Sequence, residues 1–168
     1  YIRPYMFGSN PVIGVKPAEE YIFTIFAMPV GNYFKGGLVP TNFLIQDEFD
    51  RAAPNGTGAA KVGGNYAASL VAGEIAHSKG YAAVLYLDPK EKKYLDECGP
   101  ANFFGIRGNS YITPQSHSIL PSITNKSLQQ LATDMGLTVE RRPVPVEEIA
   151  AFDEAAECGT AAVIAPIS

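Results

Sequence analysis

Lys61 is the residue whose type and surroundings most clearly suggest chemistry. It lies in a run of small residues, AAPNGTGAAKVGGNYAAS, at positions 52–69. Small neighbours leave room for a flat aromatic ring, and a crowded, desolvated lysine amine titrates low enough to form a Schiff base with an aldehyde. A glycine loop with an ordinary solvated lysine is the alternative on spacing alone. A nucleotide-binding P-loop is disfavoured, because its spacing and its following Ser or Thr are missing.

The elements that must position this lysine follow an alternating pattern of strands and helices. The clearest helix is predicted over residues 65–80, and two more over 127–136 and 146–152. Strands are predicted at residues 1–7, 21–28, 41–45, 82–87, 94–95, 102–106, 110–113, 139–142 and 163–166. The unbroken apolar run at 21–28 predicts a strand buried on both faces. The pattern indicates an α/β or α+β layered domain without a linker or a second domain.

Composition excludes several classes of function. The 168 residues are 46% apolar and 18% charged, which is typical of a soluble globular protein with a real core. A net charge of −4 without basic clusters argues against nucleic-acid binding, and no apolar stretch is long enough to span a membrane. Cys98 and Cys158 show neither metal-ligand spacing nor a disulfide framework, so we expect no metal and a reducing, cytoplasmic location.

Six segments resemble the branched-chain aminotransferases, members of the fold-type-IV group of pyridoxal-phosphate enzymes. They are the lysine segment AAPNGTGAAKVGGNYAASL together with YIRPYMFG, GVKPAEEYIFTIFAMPVGNYFKGG, GYAAVLYLD, ILPSIT and CGTAAVIAP, in the family's order. The resemblance covers essentially the whole chain. It implies that residues 1–168 form a single partial domain, the large cofactor-binding domain, with a pseudo-barrel sheet flanked by helices. The family's N-terminal small domain and C-terminal end would be absent.

The resemblance also implies roles for the residues that would bind pyridoxal 5'-phosphate. Lys61 falls on the lysine that forms the Schiff base, and Tyr66 on the tyrosine that binds the cofactor's phenolic oxygen. Glu97 falls on the glutamate facing the pyridine nitrogen. Ile123 and Thr124 match the residues at a helix start that hold the phosphate.

Further residues match the substrate side of the family's site. Thr160 falls on the threonine shared between the phosphate and the substrate carboxylate, with the backbone amide of Ala161 beside it. Tyr1, Arg3 and Tyr33 fall on residues that line the side-chain pocket in relatives, where the arginine can receive the distal carboxylate of glutamate.

General chemistry agrees with these roles, although each residue has an ordinary alternative. A carboxylate at the pyridine nitrogen keeps the ring protonated, which makes the ring an electron sink. Free N–H groups at a helix start attract a phosphate. Glu97 could instead be a solvated surface carboxylate, Thr124 an ordinary helix cap, and Arg3 a residue at a strand edge.

The implied function is transfer of the amino group of L-leucine, L-isoleucine or L-valine to 2-oxoglutarate. We expect amino acids and 2-oxo acids as the small-molecule partners, and a homodimer in the full-length protein. Another fold-type-IV enzyme, such as a D-amino-acid aminotransferase or aminodeoxychorismate lyase, is the nearest alternative. An inactive truncated core is the second.

Three short stretches depart from the family's usual pattern. Ser122 stands where the family usually has Gly before the Ile-Thr pair. Pro100 and Ala101 replace a common Thr-Met, which leaves one hydroxyl on the substrate side unaccounted for. Glu157, followed by Cys158, replaces the more common Gly that precedes Ser or Thr.

Overall fold

The chain forms two compact units, Tyr1–Lys35 and Gly36–Ser168. The structure, a computed structural model, describes residues 1–31 and 37–168. The first unit contains an antiparallel pair of strands, β1 (Ile2–Gly8) and β2 (Tyr21–Ala27). Both strands were predicted. The assignment of residues 1–168 to a single partial domain stays a prediction.

The prediction that residues 21–28 form a strand buried on both faces is wrong. Phe23 is 63% exposed and Ile25 is 60% exposed, and every residue of β2 except Thr24 is classed as exposed. Two strands by themselves cover neither of their faces, and the described residues of the first unit supply no second layer. An unbroken apolar run therefore shows that a strand favours burial, but not that a neighbour is present to bury it.

The second unit is built on a mixed sheet of eight strands among its described residues. The strands are β3 (Phe43–Gln46), β4 (Ala83–Leu87), β5 (Leu95–Cys98), β6 (Ala101–Arg107), β7 (Ser110–Pro114), β8 (Thr138–Arg142), β9 (Glu154–Gly159) and β10 (Val163–Ile167). Their order is β10-β9-β6-β5-β4-β3, with β7 pairing with β6 and β8. The pairs β3–β4 and β7–β8 are parallel, and the other pairs are antiparallel.

A seam of backbone contacts joins the two ends of this sheet order. Thr41, just before β3, forms an isolated parallel bridge with Ile167 of β10. The amide of Thr41 donates to Pro166 O at 3.2 Å, and that of Ser168 donates to Thr41 O at 3.0 Å. The seam is a single bridge and not a strand ladder, so the sheet resembles a barrel without being closed.

The helices are α1 (Gly63–Ala68), α2 (Leu70–Ser78) and α3 (Ile123–Asp134), with a 3₁₀ helix at Val146–Ala151. The helix predicted over residues 65–80 is thus divided at Ser69, whose hydroxyl donates to Tyr66 O at 2.8 Å. The helix predicted over 127–136 begins four residues earlier, and the one predicted over 146–152 is a 3₁₀ helix. No helix of the described residues combines the length and apolar character needed to cross a bilayer.

The core lies on both faces of β6, because successive side chains of a strand point to opposite sides. Phe103 packs with Leu95, Cys98 and Ile112 on one face. Phe104 packs on the other face, in a cluster that also contains Ala132 of α3 and Cys158. Both cysteines are buried and free. The strands that carry the candidate site are therefore fixed by packing from two sides.

Glu157 is a partly buried carboxylate on β9, a strand that was not predicted from the sequence. It is aligned between Phe103 of β6 and Ala165 of β10. Burial raises the pKa of the Glu157 carboxyl to about 7. Because the pKa is raised in the folded state, folding favours the protonated form of Glu157. Its contribution to stability is fully present below about pH 4.5 and is lost as the pH rises to about 7.

We therefore expect Glu157→Gln to stabilise the full-length protein at pH 8 and to leave its stability at pH 4.5 nearly unchanged. The expected gain is about 2 kcal/mol. It is smaller than the whole pKa shift would give at about 1.36 kcal/mol per pKa unit, because solvent reaches part of the side chain. Urea unfolding at the two pH values measures it. Glu154→Gln, at an exposed position on the same strand, is the control. An equal effect of both substitutions would contradict the prediction.

Candidate active site

Lys61 and Tyr66 form a hydrogen-bonded pair at the start of α1. The helix begins at Gly63, so Tyr66 lies on its first turn, just after the lysine loop. Lys61 Nζ donates to the Tyr66 hydroxyl at 2.8 Å and lies 5.2 Å from the centre of the tyrosine ring. The amine and the phenol proposed to act on one cofactor are therefore adjacent.

Asn65 holds the lysine loop in place from within the helix. Its side chain is 7% exposed, and its Nδ2 donates to Thr57 O at 2.8 Å and to Ala60 O at 3.0 Å. The Thr57 hydroxyl donates back to Asn65 Oδ1 at 2.8 Å. A buried amide with these partners fixes the backbone directly before Lys61.

The expectation of a crowded, desolvated amine at Lys61 is wrong for the described chain. Lys61 is exposed, and so are Ala59, Ala60 and Val62 beside it. Alanine and glycine are too small to cover a lysine head group, so the feature that leaves room for a ring also leaves the amine open to solvent.

Glu97 is a buried carboxylate, which rules out the surface alternative. It lies on β5, is 3% exposed, and is aligned with Asn102 of β6. Its Oε1 accepts from Asn102 Nδ2 and from the Leu120 amide, each at 2.9 Å. Its Oε2 lies 2.7 Å from Arg51 Nε in a buried ion pair.

Lys61 and Glu97 lie within electrostatic reach of each other. Burial raises the pKa of Glu97 to about 7, while the positive charge of Arg51, the Leu120 N–H and the charge of Lys61 lower it. Arg51 also connects the two groups, because it pairs with Glu97 and donates to Gly58 O in the lysine loop. Lys61 and Glu97 therefore occupy one region of the second unit. This arrangement is required if both are to act on a single pyridine ring.

The start of α3 presents free backbone N–H groups where Ile123 and Thr124 were predicted to hold a phosphate. Ser122 caps the helix, and its hydroxyl accepts the Asn125 amide at 3.0 Å. The amides of Ile123 and Thr124 belong to the first turn, where helix geometry supplies no intrahelical partner. The Leu120 amide, three residues before Ile123, is the one that binds Glu97. The helix start and the carboxylate are thus linked by a short stretch of backbone.

Thr160 and Ala161 lie in the exposed turn between β9 and β10. Thr160 is two residues beyond Cys158, which is aligned with Asn102, the residue that binds Glu97. Gly159, directly before Thr160, lies beside Ala101. The register therefore places Thr160 beyond the level of Asn102, and its role in the site stays a prediction.

The substrate-side residues Tyr1 and Arg3 belong to the first unit. Arg3 Nη2 donates to the Tyr1 hydroxyl at 2.6 Å, and the guanidinium lies 5.1 Å from the centre of the Tyr1 ring. Tyr33 lies outside the described residues. The roles of these three residues in a substrate pocket stay predictions.

Sequence reasoning missed Arg51 and gave no role to Asn102. Arg51 is 7% exposed, and its Nη2 donates to Gly58 O at 3.0 Å and also to Ser118 O. A single cation ten residues before the lysine was the only signal for Arg51. The signal for Asn102 was the turn between β5 and β6, because this turn brings Glu97 and Asn102 side by side.

Gly58 is a close-approach position in the lysine loop. A Cβ added there would collide with the Ser118 backbone, so we expect Gly58→Ala to displace the loop and to destabilise the protein by about 1–3 kcal/mol. Denaturant unfolding and cofactor retention after dialysis measure the effect. Gly73→Ala is the control, since open space surrounds that position in α2 and a gain of about 0.5–1 kcal/mol is expected. Equal stability of the two variants would contradict the close approach.

The sequence matches the family described as Amino-transferase class IV over residues 2–168. The chain belongs to this family. It is 53% identical to the branched-chain-amino-acid aminotransferase of Helicobacter pylori (strain J99) over 99% of the chain and 50% of that relative. The chain thus spans about half the length of this curated relative.

Solved structures of class IV aminotransferases share this fold. The Escherichia coli branched-chain amino acid aminotransferase superposes with a TM-score of 0.86 at 33% identity, over 99% of this chain and 56% of that one. The T.th. branched-chain amino acid aminotransferase with pyridoxamine 5'-phosphate superposes with a TM-score of 0.82 at 27% identity, over 99% of this chain and 55% of that one. The predicted fold class is confirmed.

Proposed function

We propose that the full-length protein is a branched-chain amino acid aminotransferase that uses pyridoxal 5'-phosphate. The proposal depends chiefly on one observation, the hydrogen-bonded Lys61–Tyr66 pair in a loop that Arg51 joins to the buried Glu97 carboxylate. Identity of 53% to a branched-chain-amino-acid aminotransferase along the whole chain supports the substrate class. A related structure that contains pyridoxamine 5'-phosphate supports the cofactor.

The residues present fit the chemical groups of this cofactor. Lys61 supplies an amine for the aldehyde, and Tyr66 a phenol for the ring oxygen. Glu97 supplies a buried carboxylate whose Oε2 accepts no aligned hydrogen bond from the described residues. Ile123 and Thr124 supply the free N–H groups of a helix start, which suit a phosphate.

When bound, the cofactor supplies an electron sink for a carbanion formed next to the amino group of the substrate. Lys61 would act as the base that takes the proton from the α-carbon of the substrate and passes it on from Nζ to the cofactor. Tyr66 would form a hydrogen bond with the ring oxygen of the cofactor, beside Lys61. Glu97 would supply the negative charge that balances a protonated ring nitrogen. Thr160 and the Ala161 amide bind the carboxylate end of the substrate.

L-leucine, L-isoleucine and L-valine are the proposed amino donors, and 2-oxoglutarate is the proposed acceptor. Tyr1, Arg3 and Tyr33 are the proposed lining of the side-chain pocket, in which a guanidinium can pair with the distal carboxylate of 2-oxoglutarate. We place the protein in the cytoplasm as a homodimer. Two free, buried cysteines are consistent with a reducing compartment.

Initial rates of the purified full-length protein with 2-oxoglutarate test this function. We expect rapid formation of glutamate from L-leucine, L-isoleucine or L-valine, and little from D-alanine. The reverse preference would identify a D-amino-acid aminotransferase. Turnover of neither, in protein that shows the visible absorbance of lysine-bound cofactor, would reject transamination of both substrate classes.

A further inference from the structure

The two oxygens of Glu97 have different surroundings. Oε1 accepts two aligned hydrogen bonds, from Asn102 and from the Leu120 amide. Oε2 lies 2.7 Å from Arg51 Nε, but this N–H is not aligned on the oxygen and makes no hydrogen bond among the described residues. An ionised carboxylate has about four acceptor positions. The positions on Oε1 are therefore used, and Oε2 can still accept a donor.

Arg51 is fixed beside Oε2 by contacts at the far end of its guanidinium. Nη2 donates to the carbonyls of Gly58 and Ser118. Ser118 is itself held by the buried Asp96, because its hydroxyl lies 2.9 Å from Oδ1 and 3.0 Å from Oδ2. A guanidinium has no acceptor and presents its donors in a rigid fork. Its charge therefore cannot turn away from Glu97 without breaking these bonds.

The position of this charge matters because Glu97 is almost fully buried. Desolvation disfavours a carboxylate and raises the pKa of Glu97 to about 7, with Arg51 the largest opposing influence. A neutral acid at this place would give no negative charge to balance a protonated ring nitrogen. Glu97 thus depends on a fixed positive charge that does not itself contact the ring.

We propose that Arg51 is a positioning residue that keeps Glu97 ionised, and its Oε2 available, for the ring nitrogen of the cofactor. The proposal deepens the proposed function and rests on it. Toward the ring nitrogen, Arg51 acts through Glu97. Its guanidinium also binds Gly58 in the lysine loop and Ser118 in the segment that leads to α3. These two bonds fix the position of the positive charge relative to both segments.

The test compares Arg51→Gln with Arg51→Lys in the full-length protein. Both variants lose the planar fork, and only the second keeps a positive charge. The readout is the infrared carbonyl stretch of protonated Glu97 in cofactor-free protein, identified by its absence in Glu97→Gln and titrated from pH 5 to 9. It requires neither bound cofactor nor turnover.

We expect the Glu97 midpoint in Arg51→Gln to move at least one pH unit upward, which corresponds to a tenfold or larger change in the ionisation constant. The midpoint in Arg51→Lys should stay within half a unit of the wild-type value. The cofactor affinity of Arg51→Gln at pH 7.5 should fall and recover at higher pH. Arg107→Met, which removes a surface pair with Glu148, should change none of these values.

Equal midpoints in wild type and Arg51→Gln would overturn the proposal, even if the protein proved to be an active aminotransferase. A shifted midpoint in a protein that does not transaminate would show that only the proposed function had failed. If Arg51→Gln unfolds at pH 8, it must regain stability at pH 5.5, where Glu97 takes up a proton. Equal instability at both pH values would also overturn the proposal.

Discussion

Replacing Lys61 with alanine in the full-length protein is expected to lower the transamination rate by at least about 10³-fold, the range of a lost general acid–base group. The variant loses both the amine that binds the aldehyde and the base that moves the α-proton. It should also lose the visible absorbance of lysine-bound cofactor. Because Lys61 is exposed and its side chain hydrogen-bonds only Tyr66 within residues 1–31 and 37–168, we expect the fold to be retained.

Steady-state rates with L-leucine and 2-oxoglutarate, together with absorbance spectra, measure the effect of Lys61→Ala. Lys79→Ala is the matched control, since that lysine is exposed at the end of α2. It should leave both readouts unchanged. Substantial turnover by Lys61→Ala would remove the basis for the assignment of the catalytic lysine.

Glu97→Gln should lower the turnover number by about 10²–10³-fold, the usual cost of removing one electrostatic contact to a reacting group. The amide nearly matches the carboxylate in shape, and its oxygen can still accept from Asn102 and Leu120. The substitution removes the negative charge and turns the new NH2 group toward Arg51 Nε. The pH profile should change too. With a pKa raised to about 7, Glu97 becomes ionised as the pH rises, so the wild-type rate should increase through that range.

The variant has no acid to titrate at position 97 and should lack this rising limb. Turnover numbers measured from pH 6 to 8.5 check both parts of the prediction. Glu74→Gln, at an exposed position on α2, is the control and should keep the wild-type profile. A rising limb that persists unchanged in Glu97→Gln would assign the titration to another group.

Local patterns predicted most elements, and the errors have physical causes. The helix α3 begins four residues before its predicted start, because Ser122 caps it by accepting the Asn125 amide. The strand β9 was missed because its sequence, EAAECG, has little intrinsic strand preference. It is a strand because β6 and β10 pair with it on both sides.

The candidate site shows the same division between local and distant information. Lys61 and Tyr66 are five residues apart, so a motif could predict their pairing. The pairing of Arg51 with Glu97 depends on how β5 and the lysine loop are brought together, which no local pattern encodes. The burial of Glu97 could not be predicted either, since a turn of the type Asp-Glu-Cys is usually solvated.

The seam that joins Thr41 to β10 has a consequence for the order of folding. Next to it, Ser168 Oγ donates to Asn42 Oδ1 at 2.9 Å, across a separation of 126 residues. Closing a loop costs entropy that grows by about 0.6 kcal/mol with each doubling of its length, and distant pairings form late. The bridge between Thr41 and Ile167 is therefore among the last contacts of this sheet to form during synthesis, after residues 163–168 have left the ribosome.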